Sequence, residues 1–341
     1  MIVLISLITF LSACGLTSYF CRPNTKLWVI DHASSRSLHE GAIPRTGGLA
    51  ILATGFICIE LSGLILPSSS THLSFLILGL SPLAVVSFLD DCYQLPVKWR
   101  LLTQVWSAFA LIAAGYIIDP LELPNLVFHL YKPLAVIATL LASVWMINLY
   151  NFMDGMDGFA GGMAVIGFIT LAWLGWAEPD FANLCLIVAA ASAGFLVYNF
   201  PPAKIFMGDV GSTSLGFLVA ACSLWGSKTG LFPLWIAILV FSPFIVDATV
   251  TLLRRLFRGE KVWEPHRSHY YQRLVLLGWG HRKTVLAEYV LMLACAGSAV
   301  LAMRLSPTGQ TGLIIVWVLI YSVLIWGVGL LERQHATVSA L

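Results

Sequence analysis

The architecture follows from residues 133–177, which read PLAVIATLLASVWMINLYNFMDGMDGFAGGMAVIGFITLAWLGWA. Two apolar runs, 133–150 and 159–177, flank a short cluster of Asn, Asp and Gly residues. Each run approaches the ~20 residues that an α-helix needs to cross the ~30 Å hydrocarbon layer of a bilayer. The stretch therefore predicts two membrane-spanning helices joined by a polar turn.

Apolar segments of this kind recur from one end of the chain to the other. Of its 341 residues, 59% are hydrophobic and 11% are charged, whereas ordinary soluble domains carry about 25% charged residues. We expect an all-α, polytopic integral membrane protein, with one membrane-embedded domain over residues 1–341 and about 11 transmembrane helices. The candidate spans are 2–20, 48–66, 72–89, 101–118, 133–150, 159–177, 181–198, 212–226, 231–253, 284–303 and 311–331.

The basic residues predict the orientation of these helices. With a periplasmic N-terminus, sixteen of the nineteen Lys and Arg residues fall on the cytoplasmic side and three on the other. Such a bias is the positive-inside rule, and it predicts a bacterial inner-membrane protein. Anionic lipids suffice to explain a basic inner loop, so no nucleic-acid partner is expected. The main cytoplasmic loops are then 21–47, 90–100, 148–158, 199–211 and 254–283.

The cysteines and the N-terminus carry little functional signal. Seven cysteines lie mostly within or beside spans without a Cys-x-x-Cys pair, so neither a disulfide framework nor a zinc site is indicated. Leu11–Cys14 resembles a lipoprotein cleavage site, but no basic residue precedes it, which favours a first span over a signal peptide.

The first of four polar clusters ends the third candidate span. Asp90 and Asp91 lie at the negative pole of a helix dipole, where an acid is disfavoured by ~0.3–1 kcal/mol. Lys98, Arg100, a divalent ion or a proton must therefore compensate them. The alternative is an ordinary solvated helix end.

The second cluster is the loop 148–158, where Asn148, Asn151, Asp154 and Asp157 recur at every third position among glycines. This spacing places them on one side of a helical turn, and the glycines allow close approach of a ligand. Magnesium prefers oxygen ligands and shares them with substrate phosphates. Asn/Asp/Gly clusters also form plain turns, but a turn between spans needs fewer of them.

The third cluster covers residues 198–212. Its prolines end one span, and Gly208-Asp209-Val210-Gly211-Ser212 opens the next. A helix N-terminus offers free N–H groups to phosphate, and Asp209 could hold the accompanying cation. Asp and Ser are also ordinary N-caps.

The fourth cluster contains His266, Arg267 and His269. An arginine between two histidines could clamp an anion, because its guanidinium presents a planar fork of donors. The alternative is a basic inner loop without a ligand. Residues 35–39 and 44–48 are a weaker signal and fit either a ligand loop or a positive-inside anchor.

Asp247 is an intramembrane acid near the cytoplasmic end of its predicted span. We interpret it as structural and expect it to pair with Arg254 or Arg255. Together the clusters indicate a cation, a diphosphate and carboxylates at the inner membrane surface. Phosphoryl transfer needs mainly positioning and charge neutralisation, and the neighbouring spans suit a lipid acceptor.

In order, these motifs closely resemble those of the polyprenyl-phosphate N-acetylhexosamine-1-phosphate transferases. They are Asp-Asp-x-x-x-Leu, Asn-x-x-Asn-Phe-Met-Asp-Gly-x-Asp-Gly, Phe-Met-Gly-Asp-x-Gly-Ser and His-Arg-x-His, and the resemblance runs from Ser34 through Arg273. It implies transfer of a sugar 1-phosphate from a UDP-N-acetylhexosamine to undecaprenyl phosphate, with release of UMP. It also implies Mg²⁺, for which Mn²⁺ could substitute, and a homodimer.

The resemblance also implies roles for individual residues. Asp209 resembles the principal magnesium ligand, with Asn151 as a second. Asp90 is similar to the acid that orients or deprotonates the lipid phosphate, and Asp91 supports it. The other matches are Asp154 beside the nucleotide, Asp157, Asn199 and Phe206 at the uracil, and Arg100, His266, Arg267 and His269 at the phosphates and sugar.

One departure bears on the substrate. The enzymes that transfer phospho-muramoyl-pentapeptide have three consecutive histidines where this chain has His-Arg-Ser-His, which favours the branch that initiates O-antigen and related polysaccharides. We expect the loop 254–283 to select the sugar. Direct attack and an aspartyl-phosphate intermediate both remain open.

Two other classes of protein fit the sequence less well. A transporter or flippase of a lipid-linked sugar is the main alternative, but transporters place ionisable groups near the bilayer midplane. A structural subunit would not need the Gly-Asp-x-Gly-Ser element. The Asp-Gly-x-x-Ala-Arg motif of CDP-alcohol phosphotransferases does not occur in the sequence.

Overall fold

The computed structural model describes residues 1–23, 25, 29–32, 42–65, 71–261 and 266–339. Most of these residues form the α-helices α1 (Ile2–Phe20), α2 (Gly47–Ile65), α3 (Thr71–Tyr93), α4 (Val97–Ala113), α5 (Lys132–Phe152), α6 (Phe159–Leu174), α7 (Pro179–Asn199), α8 (Gly208–Lys228), α9 (Leu234–Val240), α10 (Ser242–Phe257), α11 (Tyr270–Leu274), α12 (Gly280–Ala302) and α13 (Pro307–Ser339). A π-helical turn, Val275–Trp279, joins α11 to α12. Two antiparallel pairs of short strands are β1 (Ile30–His32) with β2 (Ala42–Pro44), and β3 (Leu121–Leu123) with β4 (Leu126–Phe128).

The helices confirm the predicted all-α, polytopic membrane architecture. Seven helical segments are long and apolar enough to cross a membrane, or eight if α9 and α10 form one bent span. Two shorter apolar helical stretches are Gly47–Gly63, within α2, and α6. Each of the eleven predicted spans contains a helix, while the number of true crossings and the periplasmic N-terminus stay predictions.

The ninth predicted span, 231–253, is broken rather than straight. Helices α9 and α10 meet at an angle of 82°, with Phe241 between them and Pro243 in the first turn of α10. Proline lacks a backbone N–H and is well tolerated at the start of a helix. At this break the Ser242 Oγ lies 2.6 Å from the hydroxyl of Tyr321, which ties α10 to α13.

Helix α8 lies at the centre of the bundle. In the most apolar 18-residue stretch of α8, 94% of the residues are buried, whereas 11% are buried in that of α13. Helix α8 packs against α2, α3 and α5. Small residues permit these contacts, since a Cβ on Gly216 would lie 2.8 Å from the Ile147 Cα of α5. The central helix thereby holds the motifs of its neighbours together at its N-terminus.

A main-chain ladder joins the start of α2 to the segment before α8. The Phe206 N–H donates to the Pro44 carbonyl (2.8 Å), and the Gly47 N–H donates to the Phe206 carbonyl (3.0 Å). The Gly48 N–H continues the ladder to the carbonyl of Met207 (2.8 Å). Residues 44–48 therefore lie beside the third cluster, whereas residues 35–39 fall outside the described part of the chain.

Candidate active site

Asp91 binds the N-terminus of α8. Its Oδ1 accepts the Asp209 N–H and its Oδ2 accepts the Val210 N–H, both at 3.1 Å. A carboxylate at this position accepts hydrogen bonds from N–H groups that have no partner within the helix, and the positive pole of the helix dipole stabilises its negative charge. Gly208 permits the approach, because its φ of 74° suits glycine and a Cβ there would lie 2.4 Å from the Arg45 carbonyl oxygen. Asp91 thus fixes the position of Asp209 in the first turn of α8.

Arginines compensate the acidic end of α3. The Arg100 Nη1 lies 3.2 Å from the Asp90 Oδ2 and 3.9 Å from the Asp209 Oδ2. The Arg45 Nε lies 3.6 Å from the Asp91 Oδ1, and its Nη2 donates to the Asp91 carbonyl. The sequence predicted Arg100 among several candidate cations but did not single out Arg45.

The second cluster lies against the third. The Asn151 Nδ2 donates to the Asp209 Oδ1 at 3.0 Å and to the Ser212 Oγ at 2.9 Å. Asp154 lies outside the helices, and its pKa is raised by burial and then by the neighbouring carboxylates of Asp209, Asp91 and Asp157. A proton or a cation is favoured where carboxylates converge in this way.

Asp157 and Asn199 order the segment before Asp209. The Asp157 Oδ2 accepts the Ala203 N–H at 3.0 Å, and its Oδ1 lies 3.1 Å from the His281 Nδ1. The Asn199 side chain accepts the Gly158 N–H at 2.9 Å and donates to the Ile205 carbonyl at 2.8 Å. These contacts fix the main chain immediately before Phe206, whose side chain is partly exposed.

The histidine segment packs against the second cluster through its rings. His269 is 4% exposed, and its ring centroid lies 6.5 Å from that of Phe152. The His269 Nδ1 lies 3.2 Å from the Asp247 Oδ1. The Tyr270 and Tyr271 N–H groups also donate to Asp247, at 2.9 and 3.0 Å.

Asp247 therefore has a different partner from the one the sequence predicted. It binds His269 and the start of α11, and not Arg254 or Arg255. The bend before α10 places its side chain next to this segment. A carboxylate on one ring nitrogen fixes the tautomer and the orientation of an imidazole. Asp247 is a site-positioning residue that sequence reasoning missed.

His266 and Arg267 have contrasting surroundings. The His266 Nδ1 lies 2.8 Å from the Ser268 Oγ. Burial, then His269 and Arg255, lower the pKa of His266 to about 4, so it is neutral at physiological pH. Arg267 lines a separate cavity with the arginines of α10, and its Nε is buried without a hydrogen-bond partner in the part of the chain that the structure describes.

The structure brings most of the predicted site residues into one cluster. Asp90, Asp91, Arg100, Asn151, Asp154 and Asp209 interact directly or through a shared neighbour, and His269 lies beside them. Asp157, Asn199 and Phe206 form the adjoining segment, and Arg267 lines the other cavity. In the described ranges, no three Asp, Glu, His or Cys side chains complete a metal site by themselves.

Comparison with known proteins identifies the family. Residues 73–227, from α3 to α8, match the family model of glycosyl transferase family 4. The chain is 33% identical over 326 residues to the probable undecaprenyl-phosphate N-acetylglucosaminyl 1-phosphate transferase of Bacillus subtilis, over 94% of this chain and 89% of that protein.

Two other bacterial relatives agree with this match. The phospho-N-acetylmuramoyl-pentapeptide-transferase of Lactobacillus delbrueckii is 30% identical over 86% of this chain and 97% of its own length. The undecaprenyl-phosphate alpha-N-acetylglucosaminyl 1-phosphate transferase of Salmonella typhimurium is 27% identical over 81% of this chain and 77% of its own length. The chain belongs to glycosyl transferase family 4 and is a multi-pass transferase of a bacterial cytoplasmic (inner) membrane.

Proposed function

We propose that the protein transfers an N-acetylhexosamine 1-phosphate group from a UDP-sugar to undecaprenyl phosphate and releases UMP. The observation that carries the proposal is the convergence of three motifs at the end of apolar helices: Asp90 and Asp209 face the Arg100 guanidinium, and Asp154 lies close enough to interact with Asp209. A lipid phosphate can reach this end from the bilayer and a nucleotide from the cytoplasm. Two of the relatives are named for transfer of N-acetylglucosaminyl 1-phosphate with undecaprenyl phosphate.

The donor set fits magnesium. Asp209 and Asn151 are the proposed ligands, with Asp90 close enough to interact with Asp209. Carboxylate and amide oxygens suit this hard cation, which usually keeps waters and substrate phosphate oxygens in its shell. An incomplete protein shell is therefore expected here. When bound, the ion would neutralise charge on the diphosphate.

We propose different roles for the two acids of α3. Both Asp91 oxygens already accept main-chain N–H groups, so Asp91 positions Asp209. Asp90 accepts the Leu95 N–H at 2.6 Å and faces Arg100, where it would orient the lipid phosphate. We propose that Asp154, whose pKa is raised, lies beside the donor phosphates and holds a proton there.

The reaction then proceeds by direct attack. An oxygen of the lipid phosphate forms a bond to the β-phosphorus of the UDP-sugar, and the bond from that phosphorus to the bridging oxygen breaks. The electron pair leaves with UMP. Direct attack is supported by the paired state of the Asp90 and Asp91 oxygens, because a hydrogen-bonded, ion-paired carboxylate is a weaker nucleophile. Arg100 would stabilise the charge that develops on the transferred group.

Donor recognition is assigned to the segments on either side of the cluster. Asp157 and Asn199 would act by fixing the main chain that presents Phe206 to the uracil. His266 and His269 would face the phosphates and sugar, whereas Arg267, for which the sequence predicted the same role, lines the separate cavity. The proposed donors are N-acetylhexosamines rather than the muramoyl pentapeptide, as His-Arg-Ser-His suggests, and the product would initiate O-antigen or a related polysaccharide. A homodimer remains part of this proposal.

The metal assignment is tested with Asp209→Asn. This variant keeps the shape and the Asn151 contact but removes the charge that would bind Mg²⁺, so UMP release should fall by about 10²–10³-fold. Asp180→Asn, in the first turn of α7, is the matched control and should retain wild-type turnover. Wild-type-like turnover by a folded Asp209→Asn variant would refute the assignment of Asp209 as a magnesium ligand.

A further inference from the structure

A second cavity, rich in arginine, lies beside the histidine segment between α10, α11 and α13. It has a volume of about 320 Å³. Of the described residues, five arginines and two glutamates line it, and none of the clustered aspartates does. The charged residues are Arg254, Arg255, Arg258, Arg267, Arg273, Glu260 and Glu332.

The two glutamates are already committed to two of the arginines. The Arg255 Nε lies 2.8 Å from the Glu260 Oε2, and Arg273 binds both oxygens of Glu332 at 2.5 Å. The other three arginines are Arg254, Arg258 and Arg267. None of them has a carboxylate at ion-pair distance among the described residues. Among the described lining residues, the arginines therefore outnumber the glutamates by three, although Glu332 also attracts Arg254 and Arg258 at longer range.

Two donor atoms on the wall of this cavity are buried without an acceptor. They are the Arg267 Nε and the Arg273 Nη1, which have no hydrogen-bond partner among the described residues. Arg273, whose guanidinium also stacks 4.5 Å from the Tyr270 ring centroid, is only 7% exposed. Buried polar groups in folded proteins nearly always have a partner, and an unpaired one calls for an unseen ligand, ion or water. Because the charges of the described lining are mostly positive, the partner that this lining favours is an anion.

The surroundings favour an anion that belongs to a lipid. A contiguous cavity of about 440 Å³ shares Arg254, Arg258 and Arg273 and extends to Ile325 and Gly329 on the apolar helix α13. Phe257 and Trp326, which are next in sequence to the lining residues Arg258 and Ile325, are 85% and 66% exposed, so large apolar side chains are available to contact acyl chains. A soluble phosphate would gain nothing from this apolar wall.

We propose that this cavity binds the phosphate of an anionic glycerophospholipid, with the acyl chains lying along α13. Guanidinium groups match phosphate oxygens with paired hydrogen bonds. The ligand would also restrain the segment 266–269, because Arg267 and Ser268 line the cavity and Ser268 contacts His266. Its effect on catalysis rests on the proposed transferase function, whereas its binding does not.

The test measures binding separately from activity. Purified protein in neutral detergent is titrated with short-chain phosphatidylglycerol, phosphatidylcholine, undecaprenyl phosphate or inorganic phosphate, and the thermal unfolding midpoint is followed. The variant is Arg254→Gln with Arg258→Gln, since neither guanidinium has an ion pair to lose among the described residues. Arg282→Gln with Lys283→Gln removes equal charge from the same predicted face, outside the cavity.

Phosphatidylglycerol should stabilise the wild type saturably, and phosphatidylcholine and phosphate should not. The cavity variant should bind it roughly 25-fold more weakly, at about fivefold per arginine, while the control variant binds as the wild type does. An equal loss in the control would mean diffuse electrostatic attraction. The same saturable shift with inorganic phosphate, or with undecaprenyl phosphate alone, would mean a soluble-anion or an acceptor site. Each of these three results overturns the proposal.

Discussion

Asp90 and Asp91 are adjacent in sequence, yet their carboxylates have different surroundings. The sequence marks both as site residues because both end a span, but it cannot distinguish them. The distinction comes from α8, whose first N–H groups point at Asp91 and not at Asp90. For the same reason the sequence does not indicate the contacts of Arg45 and Asp247, because their partners lie 46 and 22 residues away in the chain.

Substituting each acid with asparagine should separate these roles. Asp91→Asn places an amide N–H against the N–H groups of α8, so the free energy of unfolding should fall by about 1–3 kcal/mol along with activity. Asp90→Asn can still accept the Leu95 N–H, so activity should fall with little change in stability. Thermal unfolding and UMP release on both variants provide the comparison. Equal stability of the two variants would refute the capping role of Asp91.

His266 should make stability depend on pH in the acid range. Its pKa is lowered to about 4 in the folded protein, whereas an unfolded histidine titrates near ~6.5. Between these values the unfolded state binds more protons, so stability is full above about pH 6.5 and falls as the pH drops toward 4. The expected loss is about 1–3 kcal/mol, and it should be absent in His266→Gln. Parallel pH profiles of unfolding for the two proteins would contradict this assignment.

At the scale of elements, the apolar segments predict where helices lie but not how they bend or touch. The break at Phe241 interrupts a continuous apolar run, and the run alone carries no sign of the 82° angle. The four short strands were not predicted either, because pairs of three-residue strands depend on contacts between loops. The Gly-rich starts of α2 and α8, by contrast, are visible in the sequence as motifs.

The contact between α2 and α8 requires glycine at position 48. A Cβ there would lie 2.3 Å from the Gly211 nitrogen, so Gly48→Ala should separate the helices and destabilise the protein by about 1–3 kcal/mol. Gly55 lies in the same helix, and a methyl group added to its Cα would meet nothing within 4 Å. Gly55→Ala should therefore be neutral or stabilising by up to ~1 kcal/mol. Similar unfolding midpoints for both variants would contradict the close packing.

At the scale of the whole molecule, the composition predicts a membrane protein and the order of the motifs predicts the family. Both predictions are confirmed. What the sequence leaves open is the path of each helix through the bilayer, because several helices are short, bent or buried by neighbours rather than by lipid.

The predicted orientation can be tested by labelling single cysteines introduced into a background without the seven native ones. A membrane-impermeant maleimide applied to intact spheroplasts should react with Asn125→Cys and with Thr229→Cys, which lie on the predicted periplasmic side. Arg258→Cys should react only after the membrane is opened. Labelling of Arg258→Cys in intact spheroplasts would contradict the predicted topology, because it would place the aspartate cluster on the periplasmic side.

The central claim is tested most directly by the reaction itself. Purified protein would be incubated with undecaprenyl phosphate, Mg²⁺ and each of several UDP-N-acetylhexosamines, while UMP and the lipid-linked product are measured together. We predict equal amounts of both products with at least one donor, and neither product when the lipid or the metal is omitted. Folded protein that releases no UMP with any donor, but moves a lipid-linked sugar across vesicle membranes, would contradict the account.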